Sequence, residues 1–112
     1  MKPDPPIDLL YVNDDDQLRE LVSTQLRAES DRLRIRTADS AVEGEQLLEG
    51  EAIDCVLCDH HMPDVTGVEF LRRVREDRPD LPFLLFTSTG TEAVASESIE
   101  AGVTDYVIQD AI

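Results

Sequence analysis

The sequence predicts an α/β domain built on a doubly wound, five-stranded parallel sheet in the order 2-1-3-4-5. Three observations lead there. Short apolar runs alternate with segments of helical period along the whole chain, and that alternation builds parallel sheets with right-handed crossovers. Most of the runs are apolar on both faces, as strands covered by helices on each side must be. One run, Leu33-Arg34-Ile35-Arg36-Thr37, instead alternates apolar and charged residues and so belongs at a sheet edge. With the second strand at the edge, the chain reverses direction between strands 1 and 3.

Each element has its own signal. Ile7 to Val12 reads as a central strand. Leu18, Leu21, Val22 and Leu26 recur at helical spacing behind Asp15, a suitable N-cap, and the helix fades near Glu29-Ser30. After the edge strand, Ser40-Ala41-Val42-Glu43 forms a capping-box pattern, Leu47 and Leu48 mark a buried side, and Gly50 is a fitting C-terminal stop. Cys55 to Cys58 is the third strand. Thr66-Gly67-Val68-Glu69 opens a third helix that turns Phe70, Leu71 and Val74 inward and ends before Pro79. Its later turns carry Arg72, Arg73, Arg75 and Arg78, read as a solvated face that complements the helix dipole rather than a docking patch. Pro82 to Thr87 is the fourth strand. Thr91 to Ala101 is a weaker helix closed by Gly102, and Asp105 to Gln109 is the fifth strand.

Length and charge narrow the functional classes. The 112 residues suit one domain, divided into a Pro-rich leader over 1–6 and a domain over 7–112. Twenty-five acidic residues oppose 10 basic ones, for a formal charge of −15, and Lys2 is the single lysine. Such a surface repels phosphate backbones, which argues against direct nucleic-acid binding. It suits a halophilic origin, because concentrated salt screens self-repulsion. Two cysteines make no disulfide framework. No segment resembles a signal peptide or a membrane span, so a cytoplasmic location without membrane contact is expected.

Chemistry gathers at the strand ends. In the order 2-1-3-4-5 the C-terminal ends of strands 1 and 3 flank the crevice where open α/β sheets bind ligands. They carry Asn13, Asp14 and Asp59; strand 4 brings Thr87 and Ser88, and strand 5 brings Gln109. Carboxylates with carbonyls and waters make a hard-cation site, with Mg²⁺ the usual occupant. A cation would let Asp14 and Asp59 stay ionised side by side.

Asn13-Asp14, Asp59, the Met62-Pro63…Gly67 turn, Thr87 and Ala101-Gly102…Asp105-Tyr106 stand in an order and spacing that resembles the receiver domain of two-component response regulators, a flavodoxin-like fold, from Ile7 to about Asp110. The resemblance implies that Asp59 accepts a phosphoryl group from a phosphohistidine on a histidine kinase or phosphotransfer protein. It implies Mg²⁺ bound by Asp14, Asp59 and the backbone carbonyl of His61, with Asn13 reached through water. Thr87 and Gln109 would contact the phosphoryl group, Thr87 and Tyr106 would form the switch, and His61 and Thr89 would tune dephosphorylation. An output domain or partner protein would receive the signal. The family also ends with a fifth helix beside the first, and this chain stops before it. The resemblance therefore implies a longer protein, or another chain over the uncovered sheet face, with a dimer as one form of that contact.

The chain departs from the family pattern in three places. An acid is usual at 13, where Asn13 implies weaker Mg²⁺ binding. A lysine is usual at Gln109, and a charged donor contributes about 1.5–3 kcal/mol against about 1 for a neutral one. A proline usually follows, often after a cis peptide; with Asp110 the bond is expected trans, since a non-proline cis bond costs about 3 kcal/mol. Asn13 and Gln109 also support a rival reading, a pseudo-receiver that binds partners without phosphorylation. A haloacid-dehalogenase-type phosphatase would want a second acid where His61 stands. Cys55 and Cys58, three apart in a strand, face opposite sides and read as packing rather than as a redox pair. Cys58-Asp59-His60-His61 is read as water control, not zinc.

Overall fold

A computed structural model describes residues 5–87 and 91–108. In chain order they form β1 (Ile7–Val12), α1 (Asp16–Glu29), β2 (Leu33–Ala38), α2 (Ala41–Gly50), β3 (Cys55–Asp59), α3 (Gly67–Asp77), β4 (Phe83–Thr87), α4 (Glu92–Glu100) and β5 (Asp105–Ile108). All strand pairs are parallel and the sheet order is β2-β1-β3-β4-β5. The predicted fold class is the observed one. The leader residues 1–4 lie outside the described residues, as do Ser88, Thr89, Gln109 and Asp110, with the peptide expected to be trans.

The strand pleat sorts the core into two layers. Leu10, Val12, Val56, Cys58, Phe83 and Leu85 pack with Phe70, Leu71 and Val74 of α3 and Leu48 of α2. Leu9, Tyr11 and Leu57 pack on the other face with Val22, Leu18 and Leu26 of α1. Successive side chains of β1 therefore go to opposite layers, as period two requires. Cys58 belongs to the first layer and Cys55 to the second, so the two thiols do face opposite sides.

All four helices start on side-chain caps. Asp15, Ser40, Thr66 and Thr91 accept the N–H groups of Leu18, Glu43, Glu69 and Val94, each such cap being worth about 1 kcal/mol. At Ser40 the hydroxyl accepts the Glu43 N–H at 3.2 Å, the first of the two bonds of the predicted box. Two expectations need correction. Leu21 is 47% exposed; the inward stripe of α1 is Leu18, Val22 and Leu26, at steps of four, and Leu21 lies off it. Gly50 is the last helical residue rather than a left-handed stop, and α2 closes when the Glu51 N–H bonds the Leu47 carbonyl at 2.9 Å. Among the described residues the one positive φ belongs to Gly102 (90°), after α4 and against Arg75.

The sheet edges differ. β2 is guarded by charge: Arg34 and Arg36 both donate to Asp8 of β1. β5 is short and mostly exposed, because it has a strand on one side only. Between α1 and β5 runs an apolar cleft of about 560 Å³, lined by Val22, Leu26, Leu57, Leu84, Phe86 and Val107. Among the described residues no helix is long and apolar enough to cross a membrane.

Gly67 sets how closely α3 approaches the sheet. Its N–H bonds the His60 carbonyl at 2.8 Å. A Cβ there would sit 2.6 Å from the Asp59 carbonyl oxygen and 2.9 Å from the His60 Cα. Backbone cannot yield as a side-chain tip can. Gly67→Ala is expected to destabilise by at least the about 1–3 kcal/mol of an overpacked core, measured by urea denaturation followed by circular dichroism. A parent-like midpoint would show that α3 can slide.

Candidate functional site

The end of β1 is held by an amide. Asn13 is fully buried. Its Nδ2 donates to the Tyr11 hydroxyl at 3.0 Å, and its Oδ1 accepts the Asp15 N–H at 2.9 Å. Its carbonyl accepts from the Arg19 guanidinium at 2.7 Å, and its N–H bonds Ala38 of β2 at 3.0 Å. One lone pair of Oδ1 is left for a water. Asp15 is occupied as the cap of α1. Asp14, exposed between them, accepts no hydrogen bond from the described residues. It opens onto a shallow cleft of about 410 Å³ shared with Asp59, His61, Met62 and Pro63.

Asp59 ends β3, half-buried. Burial pushes its carboxyl above the usual value of 3.8, and the negative charge of Asp14 adds to the rise; backbone N–H groups of His61 and His60 act against it. The ionised form is thus costly here, and a cation or a covalent modification would relieve it. The two histidines diverge. His60 turns inward, and its Nδ1 has no partner among the described residues. His61 is exposed on the cleft. Cys58 points into the core, and burial raises its thiol well above the ordinary range.

The remaining predicted residues lie on β4 and β5. Thr87 is fully buried at the end of β4, one residue beyond Phe86, the partner of Asp59 in the sheet register. Tyr106 packs its ring against the larger core layer, and its hydroxyl is buried with no partner among the described residues. Gln109 and Thr89 fall outside the described residues. Asp14, Asp59 and His61 therefore share one cleft, with Asn13 directly behind it.

A hard cation fits this donor set. Mg²⁺ is commonly held by one or two carboxylates with carbonyls and waters, which Asp14, Asp59 and the His61 carbonyl can supply. Among the described residues there is no group of three or more His, Cys, Asp or Glu side chains able to hold a metal. Three residues that shape the site carry weak sequence signals. Arg19 pairs with Asp16 at 2.6 Å while holding the Asn13 carbonyl, and only its i,i+3 spacing hints at that. Tyr11 reads as a core aromatic. Asp64, after Pro63, reads as a turn residue, yet it bonds the start of α2.

The raised carboxyl has a stability consequence. Its folded value lies above the unfolded 3.8, so the ionised group destabilises the metal-free fold at neutral pH. Asp59→Asn should raise the melting temperature in EDTA at pH 7. The gain should shrink as pH falls through the raised value and vanish below 3.8. Equal melting curves at pH 7 would rule the strain out.

Comparison with known proteins adds three findings. Residues 9–110 match the family model described as the response regulator receiver domain. The hydrogenase transcriptional regulatory protein HoxA of Bradyrhizobium diazoefficiens is 34% identical over 88% of this chain, which spans 20% of that protein; the chain likewise spans about a fifth of its counterpart from Cupriavidus necator. Among solved structures, a putative response regulator from Chloroflexus aurantiacus is 31% identical with a TM-score of 0.83, covering 93% of this chain and 85% of that one. Response regulator TrrA of Thermotoga maritima, solved with Mg²⁺ and BeF, is 25% identical with a TM-score of 0.82, covering 93% and 87%.

Proposed function

This chain belongs to the response regulator receiver domain family, and we propose that it is an active phosphoacceptor whose acceptor is Asp59. The observation that carries the reading is the half-buried Asp59 carboxyl, raised by burial and by Asp14, at the mouth of an open cleft. The donor is a phosphohistidine on a histidine kinase or phosphotransfer protein. A carboxylate oxygen of Asp59 attacks phosphorus, the P–N bond to the imidazole breaks, and the departing nitrogen takes up a proton. The product is an aspartyl phosphate.

Most of the catalysis is positioning and charge. Mg²⁺ held by Asp14, Asp59 and the His61 carbonyl would offset the phosphoryl oxygens, as the Mg²⁺ and BeF on the Thermotoga relative suggests. Asn13 would serve that site only through a water, on the acceptor position of Oδ1 that Asp15 does not use. Arg19 and Asn13 keep the start of α1 in place. Thr87 lies one strand over, suited to meet the phosphoryl group, with Gln109 as a neutral donor. Tyr106 supports the switch reading, because its buried hydroxyl has no partner among the described residues, and such a group, costing about 1–3 kcal/mol when unpaired, gains by moving. His61, exposed on the cleft, and Thr89, two residues after Thr87 in sequence, would tune hydrolysis. The curated relatives are several times longer than this chain, so the output, a separate domain or partner protein, is read from their size and names as regulators. The pseudo-receiver alternative rests on Asn13, committed to Tyr11 and Asp15, and on Gln109 where the family pattern has a lysine.

Incubation with Mg²⁺ and a small acyl phosphate should add one phosphoryl group at Asp59, read by mass spectrometry. The adduct should be absent in EDTA and in Asp59→Asn. No adduct on the parent chain, with one gained by Gln109→Lys, would overturn the reading in favour of the pseudo-receiver.

The formal charge of −15 supports adaptation to high salt, since the Debye length falls to about 3 Å at 1 M. The urea midpoint should rise steeply between 0.1 and about 2 M KCl. A flat response would count against a halophilic origin.

A further inference from the structure

The loop after β3 is tied to a helix that does not follow it. Asp64 lies between Pro63 and Thr66, yet its Oδ1 accepts the Ala41 N–H at 3.3 Å and its Oδ2 accepts the Val42 N–H at 3.1 Å. These are the first two residues of α2, more than twenty positions away in sequence. The next free N–H, that of Glu43, goes to Ser40 at 3.2 Å. The N-terminus of α2 is thus satisfied jointly, by its own cap and by a carboxylate from the loop that carries His61. A negative charge at a helix N-terminus is favourable, and charged hydrogen bonds are the stronger kind. Burial works to raise the Asp64 carboxyl, but the N–H groups of Val42, Val65 and Ala41 outweigh it and hold the group below 3.8.

The same segment is also held by packing, Met62 and Val65 lying against the larger core layer, and at its ends by its flanking elements. Gly67 bonds the His60 carbonyl, and Thr66 caps α3. Asp64 fixes the same segment to α2.

We propose that Asp64 is a positioning residue for the cation site: by clamping the 60–66 segment to the N-terminus of α2, it fixes the loop that carries the His61 carbonyl. The inference rests on the phosphoacceptor reading for the role of that carbonyl. The clamp itself does not.

The test compares Asp64→Ala, Asp64→Asn and Ser40→Ala. Ser40→Ala strips the same helix end without touching the loop, so it reports a purely structural effect. Mn²⁺ serves as the probe, its binding followed by electron paramagnetic resonance, alongside ¹⁵N relaxation of residues 60–66 in metal-free protein. Asp64→Ala should weaken Mn²⁺ binding roughly 10-fold, the low end for losing a group that orients a metal ligand, and should loosen residues 60–66. Asp64→Asn keeps an acceptor oxygen and should recover part of both. Ser40→Ala should lose stability while keeping the parent's Mn²⁺ affinity. Unchanged relaxation of residues 60–66 in Asp64→Ala overturns the clamp, with or without metal. Loosened relaxation with parent-like Mn²⁺ affinity, or equal weakening in Ser40→Ala, overturns its role at the cation site. A parent chain that binds no Mn²⁺ refutes the phosphoacceptor reading and the cation-site role together, while relaxation still decides the clamp.

Discussion

At Gly67 the first turn of α3 rests on the backbone of β3 with no side chain between them. The contact is dictated by space: the Asp59 carbonyl and the His60 Cα occupy the volume a Cβ would need, and Leu85 of β4 closes it from the side. Because the helix starts there, the chain between Asp59 and Gly67 has a fixed span to cover. The Gly67 N–H to His60 bond turns the chain sharply after the strand. That turn sends His60 inward and leaves His61 on the cleft. The geometry of the candidate site therefore follows from the packing at Gly67 and from Thr66 capping the helix at that point.

The topology adds the electrostatics. Since the chain reverses direction between β1 and β3, the crossovers leave on opposite faces and no helix covers the gap between their ends. Asp14 and Asp59 face this gap together. In a chain already carrying −15, a half-buried carboxylate beside another is doubly disfavoured, by burial and by its neighbour. Asn13 is the counterweight. An amide can donate to the Tyr11 hydroxyl and accept the Asp15 N–H at once, whereas an ionised acid could only accept. The neutral residue adds no further charge behind Asp14, Asp15 and Asp59 and uses its hydrogen-bonding capacity at the end of β1.

Much of this was legible in the residues. The alternation in Leu33 to Thr37 placed β2 at the edge because charge on every second residue has only one physical solution in a sheet. Ser40, Thr66 and Asp15 announced helix starts because a short polar side chain before a periodic run has a specific donor to satisfy. Asp59 was visible as a carboxylate at the end of an apolar run. Long-range partners were not visible. Nothing local says that Asp64 will find Ala41 and Val42 rather than its own turn, or that Arg19 will reach back to Asn13. Leu21 and Gly50 misled for a related reason. Apolar character and glycine are necessary signals for a buried stripe and a left-handed stop, but phase and backbone closure decide them.

The buried polar atoms left without partners are informative by where they fall. Among the described residues they are Ser23 on α1, His60 at the turn after β3, and Tyr106 on β5. His60 sits against the start of α3, and Tyr106 packs against the core layer that α3 covers. An unpartnered buried polar group costs about 1–3 kcal/mol, so this part of the domain is held above its best hydrogen-bonded arrangement. The α1 side at the strand ends is different: Asn13, Asp15 and Arg19 are all paired. A covalent charge added at Asp59 would act on both sides, and on the α3 side His60 and Tyr106 are buried without partners among the described residues. Any structural response to such a charge would then fall on β4, α4 and β5 rather than on β1 and α1.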